Sequence, residues 1–207
     1  MMKKDIKFLL AGVGGQGTIL ASDVLVNVGL AAGYQAKQAE VHGMSQRGGS
    51  VTSHVRWGET VYSPLVGAGE ADVLLAFEKA EALRSVNQLR AGALALVNLE
   101  AIEPVTVTSG GQPYPQEDRL RAVFAQVTPH VVYVDGPGAA AALGNSKVEN
   151  VILLGALAAQ LERLGWTGAE LTQQTWLDEI VKRVPAKYIE LNKRAFMEGY
   201  QVGRGSV

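Results

Sequence analysis

The sequence predicts an α/β protein: a doubly wound, mostly parallel sheet with a β-hairpin insertion and a helical C-terminal region. Three observations predict it. Short, largely apolar runs at 6–11, 72–77 and 93–98 suit strands covered on both faces. Helix-like stretches lie between them. The first run breaks into a glycine turn, "GVGGQG" at 12–17, which opens into another helix-like stretch.

Taken in order, residues 6–11 are the first strand and 17–32, apolar on most sides, the first helix, with Gly33 at its C-cap. "YQAKQAE" reads as a second strand ending near Glu40. In 51–57, Val51, Ser53, Val55 and Trp57 alternate with Thr52, His54 and Arg56. Followed by Gly58-Glu59 and "TVYSPLV", this predicts a hairpin. Strands at 72–77 and 93–98 flank a helix of about ten residues. "VTVT" is a short strand before a Gly- and Pro-rich loop at 109–118, and "HVVYV" is a further strand entering a turn. Ser146-x-x-Glu149 has capping-box spacing before the apolar helix 151–164. In the helix 174–184, Trp176, Leu177, Ile180, Val181 and Val184 form one stripe, Asp178, Glu179, Lys182 and Arg183 the other, and Pro185 ends it. A last helix runs through "AKYIELNKRAFMEGY". No repeat or composition break divides the chain, so residues 1–207 form a single domain.

Composition narrows the function. A net charge of -1, with no Lys/Arg run, supplies no field for gathering nucleic acid or anionic lipid. There are no cysteines, hence no disulfide, thiolate zinc site or cysteine-ligated iron–sulfur cluster in this chain. A cytoplasmic, soluble protein is expected. "MMKKDIKFLLAG" reads as a strand rather than a signal peptide, and "VILLGALAAQL" falls short of the roughly 20 residues of a membrane span.

Two loops carry the chemistry. Gly12, Gly14 and Gly17 fit the G-x-G-x-x-G spacing of a dinucleotide turn, where glycine permits close backbone approach and the helix start offers free amides to an anion. Glu40 stands where a ribose-binding acid would. A tight strand-to-helix turn explains the same glycines without a ligand. Against a dinucleotide, Gly15-Gln16 puts a polar amide at the tip, and Glu40 leads into a second loop, "EVHGMSQRGGS" at 40–50. There Gly48 and Gly49 can form an anion nest, with Arg47 as a fork for phosphate or carboxylate. Equally, Ser45 and Gln46 can satisfy a plain polar loop, and His42 with Met44 can be half-buried packing. No second histidine stands at metal spacing, so a metal site is not expected. No G-x-S-x-G elbow is present.

The combination of "GVGGQG" at 12–17 with "EVHGMSQRGGSVTSHVRWG" at 40–58 resembles the gamma-type subunit of 2-oxoacid:ferredoxin oxidoreductases, the pyruvate/ketoisovalerate oxidoreductase family. "DVLLAFEKAEALR", "ALGNSKVENVILLGAL" and "LNKRAFMEGY" are similar too, the last two most to its indolepyruvate branch. The resemblance spans about residues 6–203. It implies an accessory subunit with no catalytic residue of its own. The holoenzyme would decarboxylate a 2-oxoacid on thiamine diphosphate with magnesium, pass electrons through iron–sulfur clusters to ferredoxin, and hand the acyl group to coenzyme A. The cofactors would sit in larger catalytic partner subunits, and this chain alone would bind none, though an orphaned interface would favour homodimers. Gly12, Gly14, Gly15, Gln16 and Gly17, with Glu40, His42, Gly43, Met44, Ser45, Gln46, Arg47, Gly48 and Gly49, are then the loops facing a ligand or partner. Two alternatives remain at this point: a free-standing dinucleotide-dependent oxidoreductase, and a non-enzymatic interaction protein.

Overall fold

The computed structural model describes residues 5–42, 49–103 and 113–205, with the His42 side chain excepted. The strands are β1 (Ile6–Val13), β2 (Gln35–His42), β3 (Ser50–Gly58), β4 (Ala71–Ala76), β5 (Leu89–Asn98) and β6 (His130–Val134). The helices are α1 (Thr18–Ala31), α2 (Lys79–Ser85), α3 (Glu117–Val127), α4 (Gly136–Ala142), α5 (Glu149–Arg163), α6 (Gln173–Val181) and α7 (Ile189–Gly205). The apolar runs are strands as expected. Phe8, Leu10, Leu75, Leu94 and Leu96 are fully buried, because helices cover both faces of the sheet.

The sheet runs β2-β3-β1-β4-β5-β6. β1, β4, β5 and β6 are parallel neighbours, whereas β3 lies antiparallel to both β1 and β2. The hairpin insertion is therefore real, but its arms are β2 and β3. The alternation in β3 is as expected, with Val51, Ser53, Val55 and Trp57 buried. The expected return strand across Gly58-Glu59 does not form. Both edges of β3 are already paired, and Pro64 brings no N–H to a ladder. Residues 60–66 instead cross the sheet edge. Val61 N–H donates to Gln35 Oε1 (3.0 Å), Lys37 Nζ to the Tyr62 carbonyl (3.3 Å), and Val66 N–H to His54 Nδ1 (3.1 Å). Burial holds the His54 pKa below its ordinary value, which suits an acceptor nitrogen.

Other boundaries moved. α3 was not expected: it follows the Gly/Pro-rich loop, buries Leu120 and Phe124 and packs the partly buried Val123 and Val127 beside them. α6 stops at Val181, three residues before the predicted end, and Pro185 opens a single 3-10 turn leading to α7. Gly33, with φ 76°, is the left-handed residue closing α1, as predicted. The "VTVT" strand falls in 104–112, outside the described residues.

The two faces are covered unequally. α1, α5, α6 and α7 build one thick apolar layer, threaded by ring contacts from Phe8 to Trp57 (4.7 Å), Trp57 to Trp176 (6.4 Å) and Trp176 to Phe196 (6.3 Å). α2 and α3 cover the other face with a smaller cluster around Leu9, Leu74, Ala95 and Phe124. α5 and α7 approach so closely that Gly155 and Gly199 each face backbone atoms of the opposite helix.

Candidate functional site

The parallel strands β1, β4, β5 and β6 all end at one edge of the sheet, and the glycine turn rises there from β1 into α1. Its geometry explains its composition. Gly15 and Gly17 have φ of 109° and 77°, a region other residues enter at a cost of roughly 1–2 kcal/mol. A Cβ on Gly12 would lie 2.9 Å from Thr18 Cγ2 and 3.0 Å from Phe77 Cβ, so that strand position has no room for one. A Cβ on Gly17 would strike Asn150, whose Nδ2 donates to the Gly17 carbonyl at 3.4 Å. No side chain caps α1 and no acid lies in its first turn, which leaves its leading amides and positive dipole end without a carboxylate of their own helix.

Gln16 is engaged with the fold. Its Oε1 accepts from Val13 N–H (2.8 Å) and its Nε2 donates to the Phe77 carbonyl (2.9 Å), tying the turn to the end of β4. Gln16→Ala leaves the Val13 N–H unpaired and takes one of two donors from the Phe77 carbonyl, which Asn98 also bonds, and should cost about 1–3 kcal/mol of stability. Urea denaturation checks this; a midpoint unchanged from the parent would show that water replaces both bonds.

Glu40 lies on β2, and β3 stands between β2 and β1. Two strand spacings, about 10 Å, separate it from the strand that carries the turn. In a dinucleotide fold the acid sits on the strand next to that one, so the inserted β3 removes the geometric basis for giving Glu40 that role. Glu40 lines a crevice of about 500 Å³ on one side of the turn, with Gly14, Thr18, Ile19 and Val51.

The second loop is anchored beside the first. His42 pairs with Val51 in the β2–β3 ladder, Gly14 N–H donates to the Gly49 carbonyl (3.0 Å), and Ser50 Oγ bonds Glu81 Oε2 (2.7 Å). Gly49 and the glycine turn are thus brought together as the sequence reading required. Gly43, Met44, Ser45, Gln46, Arg47 and Gly48, and the His42 side chain, lie outside the described residues.

On the other side of the turn a crevice of about 460 Å³ holds residues the sequence reading had not singled out as a site. Asn98, at the end of β5, is 1% exposed. Its Nδ2 donates to the Phe77 carbonyl (3.1 Å) and to Glu149 Oε2 (3.2 Å), while its Oδ1 accepts from Gly136 N–H (3.0 Å). Glu100 also lines the crevice, its Oε2 3.5 Å from Gln16 Nε2. Burial first, then the neighbouring Glu100 carboxyl, push the Glu149 pKa up to about 7; the Asn98 amide pulls it the other way. The predicted capping box is replaced. Asn145 accepts from Lys147 N–H (2.9 Å) and caps a 3-10 turn ahead of α5, and Glu149 turns into the crevice. The only sequence signal for this cluster was two acids and two amides, each at an element boundary, at positions 98, 100, 149 and 150.

Below the crevice, Glu78 is almost fully buried. Its Oε2 accepts from Glu81 N–H (2.9 Å) to cap α2, and its Oε1 from Ile102 N–H (3.2 Å), which fixes the chain leaving β5. Burial raises its pKa. Among the described residues no group of three or more His, Cys, Asp or Glu is placed to hold a metal ion, and no helix is long and apolar enough to cross a membrane.

Comparison with known proteins places this arrangement. Residues 7–202 match the family model described as pyruvate ferredoxin/flavodoxin oxidoreductase. The indolepyruvate oxidoreductase subunit IorB of Thermococcus kodakarensis is 38% identical over 202 residues, 97% of each chain. The gamma subunit of a keto/oxoacid ferredoxin oxidoreductase from Geobacter sulfurreducens superposes with a TM-score of 0.67 at 23% identity, covering 96% of this chain and 98% of that one. The 2-oxoglutarate:ferredoxin oxidoreductase of Magnetococcus marinus contains the same fold, with a TM-score of 0.74 at 18% identity; this chain is covered to 99% and spans 32% of that larger one. The near full-length family match and the 38% identity over almost the whole chain agree: the chain belongs to the pyruvate ferredoxin/flavodoxin oxidoreductase family.

Proposed function

We propose that this chain is the small subunit of an indolepyruvate-type 2-oxoacid:ferredoxin oxidoreductase, acting in the cytoplasm. In this reading a larger catalytic subunit carries thiamine diphosphate, magnesium and iron–sulfur clusters. The 2-oxoacid is decarboxylated there, electrons leave through the clusters to ferredoxin, and the acyl group passes to coenzyme A. A chain with no cysteine cannot ligate such clusters by thiolate, so they belong to the partner. The indolepyruvate branch is supported by the IorB relative.

The glycine turn and the 42–49 loop are assigned to the partner subunit or to the anionic part of coenzyme A. The observation that carries this is the joining of the two loops: Gly14 N–H bonds the Gly49 carbonyl next to an α1 start left open to an anion. The Magnetococcus marinus enzyme, which shares the fold, was solved with coenzyme A bound. Arg47 supplies the guanidinium such a surface would need. Arg47→Ala is expected to raise the apparent KM for coenzyme A about tenfold or more, the size of a lost charged hydrogen bond, or to loosen the complex. Unchanged kinetics with unchanged complex mass would remove the loop from the site.

A tagged pull-down from the native host under anaerobic conditions tests the whole reading. A larger partner with iron, thiamine diphosphate and arylpyruvate-dependent dye reduction is the expected result. A chain recovered alone, or carrying a nicotinamide, would overturn it.

A further inference from the structure

The first turn of α2 buries two carboxylates, Glu78 and Glu81, which are 1% and 2% exposed. Glu78 caps the helix and holds Ile102. Glu81 reaches outside its helix. Its Oε1 pairs with Arg84 one turn on, while its Oε2 accepts from Ser50 Oγ (2.7 Å), 31 positions away in the chain. Burying a carboxylate costs more than burying a neutral acceptor, and what it offers in return is the stronger bond that a charge makes to a hydroxyl.

Ser50 is where the second loop returns to the sheet. It is the first residue of β3 and pairs with Val13, the last residue of β1. The residue before it, Gly49, offers its carbonyl to Gly14 N–H (3.0 Å), the bond that joins the two loops. That bond lies at the end of the β1–β3 ladder, and ladder ends fray where no side chain holds them. Gly14 and Gly49 have no side chain to be held by, so the hold falls on the Ser50 hydroxyl.

We propose that Glu81 is a positioning residue for the site at the joined loops. Through Ser50 it keeps the Gly49 carbonyl on the Gly14 amide, and it fixes the point from which the chain runs back to Arg47. Three residues span at most about 11 Å, so an anchored Ser50 confines the Arg47 backbone to the surroundings of the glycine turn. The role rests on the assignment of that loop to coenzyme A or a partner subunit. Glu81 acts on it at one remove, from beneath.

The test compares Glu81→Ala with Ser50→Ala, which removes the donor and leaves Glu81 paired with Arg84. Hydrogen exchange of the full chain reads the Gly14 amide, with the Val13 amide, held by Gln16 Oε1, as internal control. Gly14 exchange is expected to rise about tenfold or more in both variants, the size of one lost hydrogen bond to a charged group, with Val13 unchanged. In the complex reconstituted with its larger subunit, the apparent KM for coenzyme A should rise about five- to tenfold, with kcat within about twofold of the parent. Ser50→Thr keeps the hydroxyl and Glu81→Gln keeps an acceptor, so each should restore both readouts. Unchanged Gly14 exchange in Ser50→Ala overturns the role, as does a failure of Ser50→Thr to restore it. Arg47→Ala, measured alongside, separates two failures. If it raises the KM and Ser50→Ala does not, positioning by Glu81 falls and the assignment of the loop stands. If neither variant moves the KM or loosens the complex, the assignment falls and the role with it.

Discussion

Trp57→Ala is expected to destabilise the chain by about 3–5 kcal/mol, the range for emptying a fully buried aromatic site. Trp57 is 1% exposed, at the end of β3. Its ring meets Phe8 from β1, Tyr34 ahead of β2 (5.5 Å) and Trp176 from α6, so one side chain joins the sheet to two segments of the helical layer. Its indole N–H donates to the Leu25 carbonyl (3.0 Å), and α1 makes way for the ring at Gly29, where a Cβ would strike it. Little around the site can collapse into the space, because these neighbours are held by regular elements. Urea titration of the variant measures the loss. A value below about 1 kcal/mol, typical of surface positions, would mean that the layer repacks freely.

Gly199→Ala should be nearly as damaging, for the opposite reason. A Cβ there would fall under 3.0 Å from the backbone of Ile152, atoms that no rotamer change can move. Gly155 faces the Phe196 carbonyl in the same way, and a Cβ on Gly203 would lie 2.6 Å from the Ala156 carbonyl. α5 and α7 must separate along their whole contact to admit one methyl group. The expected loss is about 3 kcal/mol, toward the upper end for overpacking, or a Tm lower by roughly 6–12 °C in a chain of this size. Gly205→Ala, near the end of the same helix with open space around it, is the control and should leave Tm unchanged or slightly higher. Equal melting temperatures for the two variants would show that the helices are not in close contact.

What the sequence disclosed follows from the range over which its signals act. Apolar runs, the glycine turn and the Gly33 cap are local, and they placed β1, α1, β4 and β5 directly. The alternation in β3 revealed its two faces but not its neighbours; its place between β1 and β2 depends on pairings with segments before it. α3 was readable but passed over: Leu120, Val123, Phe124 and Val127 recur at helical spacing, yet the segment directly follows the Gly- and Pro-rich loop and was not read separately from it. The site divides in the same way. The glycines were readable because their turn is built from adjacent residues. Asn98 and Glu149 are 51 positions apart, and only the ending of β5 beside the start of α5 brings them together. Glu149 was moreover read as half of a capping box, a local role that the cleft overrides. Gln16 was read as a polar amide at the loop tip, and only the fold shows that it also braces the turn.

The unequal covering of the sheet also sets an order of events during synthesis. Five of the six strands are complete once Asn98 has been made, yet α5, α6 and α7, which cover the larger apolar face, occupy residues 149–205. At about 5–20 residues per second the ribosome needs roughly 5–20 s to go from Asn98 to the end of α7. For that interval the nascent sheet carries Phe8, Leu10 and Trp57 with α1 alone of the four helices that seal them. α7 is made after the other described helices and is also the one α5 packs against most closely, so the thick layer closes only once α7 has been made. The period in which the sheet is most open to a chaperone or to aggregation, between completion of β5 and of α7, is thus written into the order of its elements.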